Sequence, residues 1–290
     1  MNKNNGIGTV ITLGTFDGVH KGHQTILNKL VQTAQKEHLK SVALIFEKPV
    51  KQVSGLLTTT EEKIGLISSF PIDEIVLFSV NKKIISITAE KFFEDCLIKK
   101  LNVSHFVVGY DCTFGKGRKG NVSWLKQNAK KYGVKLTVVK PVKIGNKIVS
   151  SSLIREELEK NNIVGVNKML ARPFSFDGEH ITGNKIGRTL GFPTINIKTD
   201  NNKLLPRGVF SCSVIDKNFN VYKGVLNIGL RPSVKLKKHN LSIEVHLLNF
   251  SGTWRSKQLT VIINKFIRSE QKFNNLEELK KAIASDIKKA

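Results

Sequence analysis

The feature that most limits how this chain can fold is a change of rhythm partway along it. Over the first half, apolar runs near 7–13, 41–46, 73–80, 105–110 and 135–140 alternate with helix-like segments. Short runs that stay apolar throughout are the pattern of strands buried on both faces, and they imply a parallel sheet. Between them, 23–36 carries Ile26, Leu27, Leu30, Val31 and Ala34 on one helical face. Segments 60–69, 88–101 and 123–132 read as further helices, with Thr59-x-x-Glu62 a capping box for the one at 60–69. The alternation predicts an open, doubly wound α/β sheet.

Near 160–172 the pattern changes. After a helix from about 152 to 170 come strands at 192–198, 208–215, 221–228, 241–249 and 258–267, separated by turn residues as in a small antiparallel barrel. A closing helix over 275–288 puts Leu276, Leu279, Ile283 and Ile287 on one face. The predicted layout is an α/β domain over 1–160 and a β domain over 161–290, with no internal repeat.

Composition narrows the setting. No apolar run approaches a membrane span, and the start MNKNNGIGTV lacks the apolar stretch of a secretory signal. Cys96, Cys112 and Cys212 are scattered, which argues for a reduced, cytoplasmic protein without disulfides or a zinc site. The net charge of +24 invites a nucleic-acid partner. Of the 47 basic residues, however, 39 are Lys and eight are Arg, spread along the whole chain with no run of five. That distribution reads as lysine-biased composition, so neither a specific nucleic acid nor a membrane is expected as partner.

Two stretches carry chemistry. Residues 14–23, GTFDGVHKGH, follow the first apolar run where a strand gives way to a helix. Backbone N–H groups and the helix dipole converge on an anion at such a junction. Gly14, Gly18 and Gly22 allow close approach, and His20 and His23, three apart, can face one space and donate to phosphate oxygens. The same spacing is half of a metal site, but no third ligand is evident. The second stretch, 183–196, reads GNKIGRTLGFPTIN. Gly183, Gly187 and Arg188 make a loop able to wrap phosphates, and Pro193-Thr194-x-Asn196 aligns a hydroxyl and an amide suited to Mg²⁺. Farther on, SIEVHLLNF (242–250) is a period-2 strand with Ile243, Val245 and Leu247 on one face and Glu244 and His246 on the other. By itself Glu244 reads as a solvated strand residue.

Together these motifs resemble the bacterial bifunctional riboflavin kinase/FAD synthetases, over nearly the whole chain. GTFDGVHKGH resembles the signature of the HxGH nucleotidyltransferases. VGYDCTFGKGRKGN (108–121) resembles that family's flavin- and nucleotide-side loop, and VSSSLIR (149–155) its VSSTxIR element. The second-half stretch resembles GxxxGRxLGFPTxN of the riboflavin kinase domain, flanked by LLPRGVFSCSV (204–214) and GVLNIGLRPSV (224–234). The resemblance implies that His20 and His23, with Ser151, Ser152 and Arg155, hold ATP phosphates while FMN attacks the α-phosphorus. Gly14, Phe16 and Gly22 would border that nucleotide, and Asp111, Phe114 and Arg118 would belong to the flavin-side loop. Asp17 and Asp111 are implied at the site edge; an Asx-turn and a plain loop aspartate are their alternatives. In the barrel the resemblance implies Glu244 as general base toward riboflavin, with Thr194 and Asn196 on Mg²⁺. A single-activity member and a flavin-sensing or nucleic-acid-binding regulator are the alternative functions. Where many members have F-x-P-H-P after the second strand, this chain has Phe46-Glu-Lys-Pro49, without the histidine.

Overall fold

The structure, a computed structural model, describes residues 8–183, 187, 191–230 and 241–290. Contacts divide the chain into two compact units, Met1–Ser151 and Ser152–Ala290.

The first unit is built on five parallel strands: β1 (Thr9–Gly14), β2 (Lys40–Phe46), β3 (Glu74–Phe78), β4 (Val103–Gly109) and β7 (Lys135–Val139). Their order is β3-β2-β1-β4-β7, so the chain steps outward from β1 in one direction and then returns to build from β4 in the other. Alternate residues of each strand bury on opposite faces. Val10, Ala43, Ile45 and Val107 pack with Leu27, Leu30 and Ala34 of α1 (Lys21–Glu37) and Ile67 of α2 (Thr60–Ser68). Ile11, Leu13, Val42, Leu44, Phe106 and Val108 pack on the other face with Phe92, Phe93 and Leu97 and with Leu125 of a later helix. Two covered faces explain why these strands read as unbroken apolar runs. The capping box at Thr59 and Glu62 forms as the sequence predicts.

The segment expected as one helix at 88–101 is more irregular. A short α3 (Lys82–Ser86) precedes α4 (Ala89–Lys91), which continues as a nine-residue π-helix, Phe92–Lys100. Two short hairpins, β5 (Thr113–Phe114) with β6 (Gly120–Asn121) and β8 (Lys143–Ile144) with β9 (Lys147–Ile148), flank α5 (Val122–Ala129) and β7.

In the second unit the single helix expected at 152–170 is two: α6 (Ser151–Glu159) and α7 (Ile163–Leu170). Asn161 adopts φ 58° and Asn162 caps α7, its side chain accepting from the Gly165 N–H. Asparagine tolerates the left-handed region and caps well, so the Asn161-Asn162 pair ends one helix and starts the next. The barrel then closes in the order β10-β11-β14-β13-β12-β15. Its strands are β10 (Ser175–Ile181), β11 (Thr194–Lys198), β12 (Gly208–Asp216), β13 (Val221–Leu230), β14 (Leu241–Leu247) and β15 (Gln258–Arg268). The sequence predicted five of these; β10 was not among them. The closing helix α8 spans Leu276–Lys289. It is tied to the end of β15 by Arg268, which grips the buried Asp286 through Nε and Nη2. Among the described residues no helix is long and apolar enough to cross a membrane.

Candidate active sites

In open α/β sheets ligands bind beyond the carboxyl ends of the strands, where the strand order reverses. Here that point lies between β1 and β4, each of which ends in a glycine, Gly14 and Gly109. The turn leaving β1 is strained: Phe16 has φ 51°, Gly18 φ 83° and Val19 φ 38°. Positive φ at a β-branched valine is costly and persists only where surroundings impose it. The segment leading into α2 does so. Asp17, 3 % exposed, accepts hydrogen bonds at Oδ1 from the Leu57 N–H (3.0 Å), the Thr58 N–H (3.1 Å) and the Thr58 hydroxyl. Gly18 N–H donates to Thr58 Oγ1 (3.0 Å), and the Ser151 hydroxyl donates to the Asp17 carbonyl (2.9 Å).

That turn delivers His20 as the N-cap of α1. Its Nδ1 accepts the His23 N–H at 3.4 Å, so the neutral ring carries its proton on Nε2. The His20 and His23 rings stack, centroids 3.7 Å apart and 17° from parallel, and Phe16 tilts against His23 at 5.0 Å. The glycines make room for this stack. A Cβ on Gly22 would meet His20 Cε1 at 3.1 Å and Nδ1 at 3.2 Å, and one on Gly14 would meet the Phe16 ring at 3.2 Å. Burial holds the His23 pKa well below its usual value, and the neighbouring charges of His20 and Lys63 add to the effect. His23 Nδ1 is buried without a hydrogen-bond partner among the described residues. The arrangement therefore presents two stacked imidazoles, His23 held neutral, at a helix N-terminus, where donors and dipole act together on an anion.

The remaining first-unit residues are placed as follows. Asp111 is exposed just past β4, its Oδ1 close to where a Gly109 side chain would begin. Arg118 is exposed, φ 59°, with Nε donating to the Thr113 hydroxyl at 3.0 Å. Phe114 is buried in the core against Phe92 and Trp124, so it supports the 108–121 loop from beneath. Ser151 opens α6, and Ser152 and Arg155 follow on that helix in the second unit, Ser152 exposed and Arg155 buried. Sequence reasoning missed Lys63, a buried cation on α2. One lysine among 39 carries no signal.

In the barrel, β11 and β14 pair so that Asn196 lies opposite Glu244 and Thr194 opposite His246. The alternation is as expected: Ile243, Val245 and Leu247 are buried, Glu244 and His246 only partly so. Glu244 accepts at Oε1 from the Ser242 hydroxyl (3.0 Å) and at Oε2 from the Thr194 hydroxyl (3.4 Å). His246 Nδ1–H donates to the Pro193 carbonyl (2.8 Å), and its ring meets Phe192 edge-on. A Cβ on Gly183 would fall 2.1 Å from Asn196 Nδ2, so the 183 backbone lies directly over the amide. Gly187 lies against Phe192 and Thr194; Arg188 is outside the described residues. Thr194, Asn196 and Glu244 thus bring three oxygen-bearing side chains together, and a hard, oxygen-only set of that kind fits Mg²⁺. No group of three or more His, Cys, Asp or Glu arranged for a metal occurs among the described residues. Mg²⁺ does not require one, because it is usually shared between one or two side chains, waters and substrate phosphates.

Comparison with known proteins agrees with both halves. A family model described as FAD synthetase matches residues 2–153, and one described as riboflavin kinase matches residues 170–290. A bifunctional riboflavin kinase/FMN adenylyltransferase from Buchnera aphidicola (subsp. Schizaphis graminum) is 38 % identical, over 96 % of this chain and 92 % of its own. One of the same name from Escherichia coli K12 is 33 % identical, over 96 % of this chain and 90 % of its own. A crystal structure from Streptococcus pneumoniae, named a macrolide-efflux protein, superposes with a TM-score of 0.85 at 25 % identity, covering 98 % of this chain and 94 % of that one.

Proposed function

The chain belongs to the bifunctional riboflavin kinase/FMN adenylyltransferase family, and from that premise we propose how its own residues divide the two reactions. One ATP phosphorylates riboflavin to FMN, and a second adenylylates FMN to FAD with release of pyrophosphate. In our reading adenylylation belongs to 1–160 and phosphorylation to 161–290.

For adenylylation, His20 and His23 donate to phosphate oxygens of ATP as charge develops on the departing pyrophosphate. Ser151, Ser152 and Arg155 assist on the phosphates, and Asp111 and Arg118 border the flavin side. The observation that carries this reading is the stacked pair at the α1 N-terminus: His20 is oriented by its cap bond, so Nε2–H is its available donor. Fixed donors of this kind need no reorganisation when the charge moves. Phe16 and Gly14 hold the stack, and Asp17 holds the turn.

For phosphorylation, Glu244 accepts the proton of the attacking ribityl hydroxyl. The Ser242 and Thr194 hydroxyls orient its two oxygens. Thr194 and Asn196 would hold Mg²⁺, which when bound neutralises charge on the transferring phosphate. Gly183, Gly187 and Pro193, with Arg188 of the same sequence motif, are assigned to the nucleotide. The protein is read as cytoplasmic, with small molecules rather than nucleic acids or membranes as partners, a reading supported by its evenly spread lysines and scattered cysteines.

The test sets the two sites against each other in the full chain. His23→Ala removes one preorganised donor, typically worth about 10²–10³ in rate. Glu244→Gln removes a general base worth about 10²–10⁴ while keeping its size. The first variant should accumulate FMN from riboflavin and make little FAD; the second should fail on riboflavin yet convert supplied FMN into FAD. Loss of FMN formation in His23→Ala, or normal FMN formation in Glu244→Gln, would overturn the assignment.

A further inference from the structure

We propose that Lys63 is a positioning residue for adenylyl transfer: its buried ammonium ties the exits of β1 and β2 together and fixes the turn that carries the histidines. The proposal rests on the assignment of that reaction to His20 and His23.

Lys63 is 2 % exposed, and its Nζ donates to three carbonyls, those of Thr15, Phe46 and Glu47, each at 3.0 Å. An ammonium has three protons, and all three are used. A buried cation is costly, and an apolar side chain would fill the same space without that cost. The three acceptors belong to no shared secondary structure. Thr15 is the first residue past β1, while Phe46 and Glu47 are the last residue of β2 and the one after it. Lys63 therefore joins two neighbouring strand ends at the edge of the sheet where the histidine turn begins.

The other contacts of this segment point the same way. Thr58, five residues earlier, holds Asp17 and Gly18 within the strained turn. The start of α2 thus grips residues 15–18 from both ends, through Lys63 at the first and Thr58 at the last. The stretch Phe46-Glu-Lys-Pro49 is held by its backbone through the same ammonium. The charged and titratable groups facing Lys63 are Asp17 from the β1 turn, Glu47 from the β2 exit and His23 from α1. Burial pulls the Lys63 pKa down to about 8, against the pull of Asp17 and Glu47. At neutral pH it is largely protonated, and its charge helps to keep His23 neutral.

The experiment uses full-length Lys63→Met and Lys63→Arg, with FAD formation from FMN and MgATP, riboflavin phosphorylation on the same samples, and His23 titration by NMR. Lys63→Met should lose about 10²-fold in kcat for FAD, the cost of displacing reacting groups by roughly 1 Å. Its KM values should change far less, and its kinase rate should be retained. His23 should titrate at higher pH than in the unmodified protein, because a positive neighbour is gone. Lys63→Arg should restore the His23 titration and part of the rate. A normal kcat in Lys63→Met overturns the proposal, as does a lost kcat with His23 titration unchanged. Should Lys63→Met fail to fold, the unmodified protein decides: FAD formation should decline above about pH 8 as the ammonium loses its third donor, and a profile flat to about pH 10, near the ordinary lysine value, overturns it. If His23→Ala also keeps FAD synthesis, the assignment of the site fails; if only Lys63→Met keeps it, the Lys63 proposal alone fails.

Discussion

Gly22→Ala tests whether the histidine geometry, and not merely the presence of histidines, sets the rate of FAD formation. Gly22 is the second residue of α1, directly beneath the His20 ring. An added methyl would sit 3.1 Å from Cε1 and 3.2 Å from Nδ1, whereas ordinary contacts begin near 3.4 Å. The ring must retreat by a few tenths of an ångström, away from its cap bond and out of its stack with His23. If about 1 Å of misplacement costs roughly 10²-fold, a shift of about 0.3–0.5 Å costs about 4–10-fold. Stability should barely change. Alanine in place of glycine gains about 0.5–1 kcal/mol in a helix, less in its first turn. Weakening a cap costs about 0.5 kcal/mol at the lower end of the usual range, and this one is already long at 3.4 Å. The assay is the initial rate of FAD from FMN, with riboflavin phosphorylation and a melting curve on the same preparation. FAD synthesis should fall several-fold while the other two stay within error. An unchanged FAD rate would refute the reasoning, because either the ring does not rest on residue 22 or its position does not matter.

Asp286→Ala leaves the Arg268 guanidinium without its main partner, and breaking a buried pair of this kind costs about 3–5 kcal/mol. Thermal unfolding of the riboflavin kinase half should drop by about 10 °C, at roughly 2–4 °C per kcal/mol; a shift under about 2 °C would show that α8 does not depend on the pair. Burial pushes the thiols of Cys112 and Cys212 up to about 12. Iodoacetamide at pH 8 should therefore add at most one label, on Cys96, to the native protein, and mass spectrometry showing two or three would contradict that burial. If the charge of +24 is compositional, binding to random duplex DNA should vanish by about 200 mM salt; nanomolar binding at that salt would favour a nucleic-acid partner.

The fold was legible where burial was one- or two-sided in a regular way. Ile11, Leu13, Val42 and Leu44 face one side of the first sheet while Val10, Ala43 and Ile45 face the other, so the strands wrote themselves as apolar runs. β10 did not, because SFDGEHI supplies few apolar side chains: Phe176 is buried, Gly178 contributes no side chain, and Asp177 and Glu179 face solvent. The break between α6 and α7 was written in Asn161-Asn162. Its local chemistry was outvoted by the apolar periodicity on either side, Ile154 and Leu158 before it and Ile163, Val166 and Leu170 after it.

At the first site the sequence pointed to two histidines that meet in the structure, but not to what holds them. The histidines announce themselves through their spacing from Gly14 and Gly22, because ring, glycine and helix start are all local. What fixes them is not local. Asp17 bonds to residues forty positions away, and Lys63 reaches back to Thr15 and Phe46. Neither residue belongs to a periodic pattern: the motif marks Asp17 at the site edge without showing what it bonds to, and Lys63 reads as an ordinary lysine until the sheet brings its partners together. The barrel is the converse case. Glu244 and Thr194 sit on strands that pair in register, so alternation on β14 put Glu244 and His246 on one face and the motif on β11 supplied the hydroxyl opposite. Paired strands expose their chemistry through period two. A turn between a strand and a helix has no such period, and its supports become visible only in three dimensions.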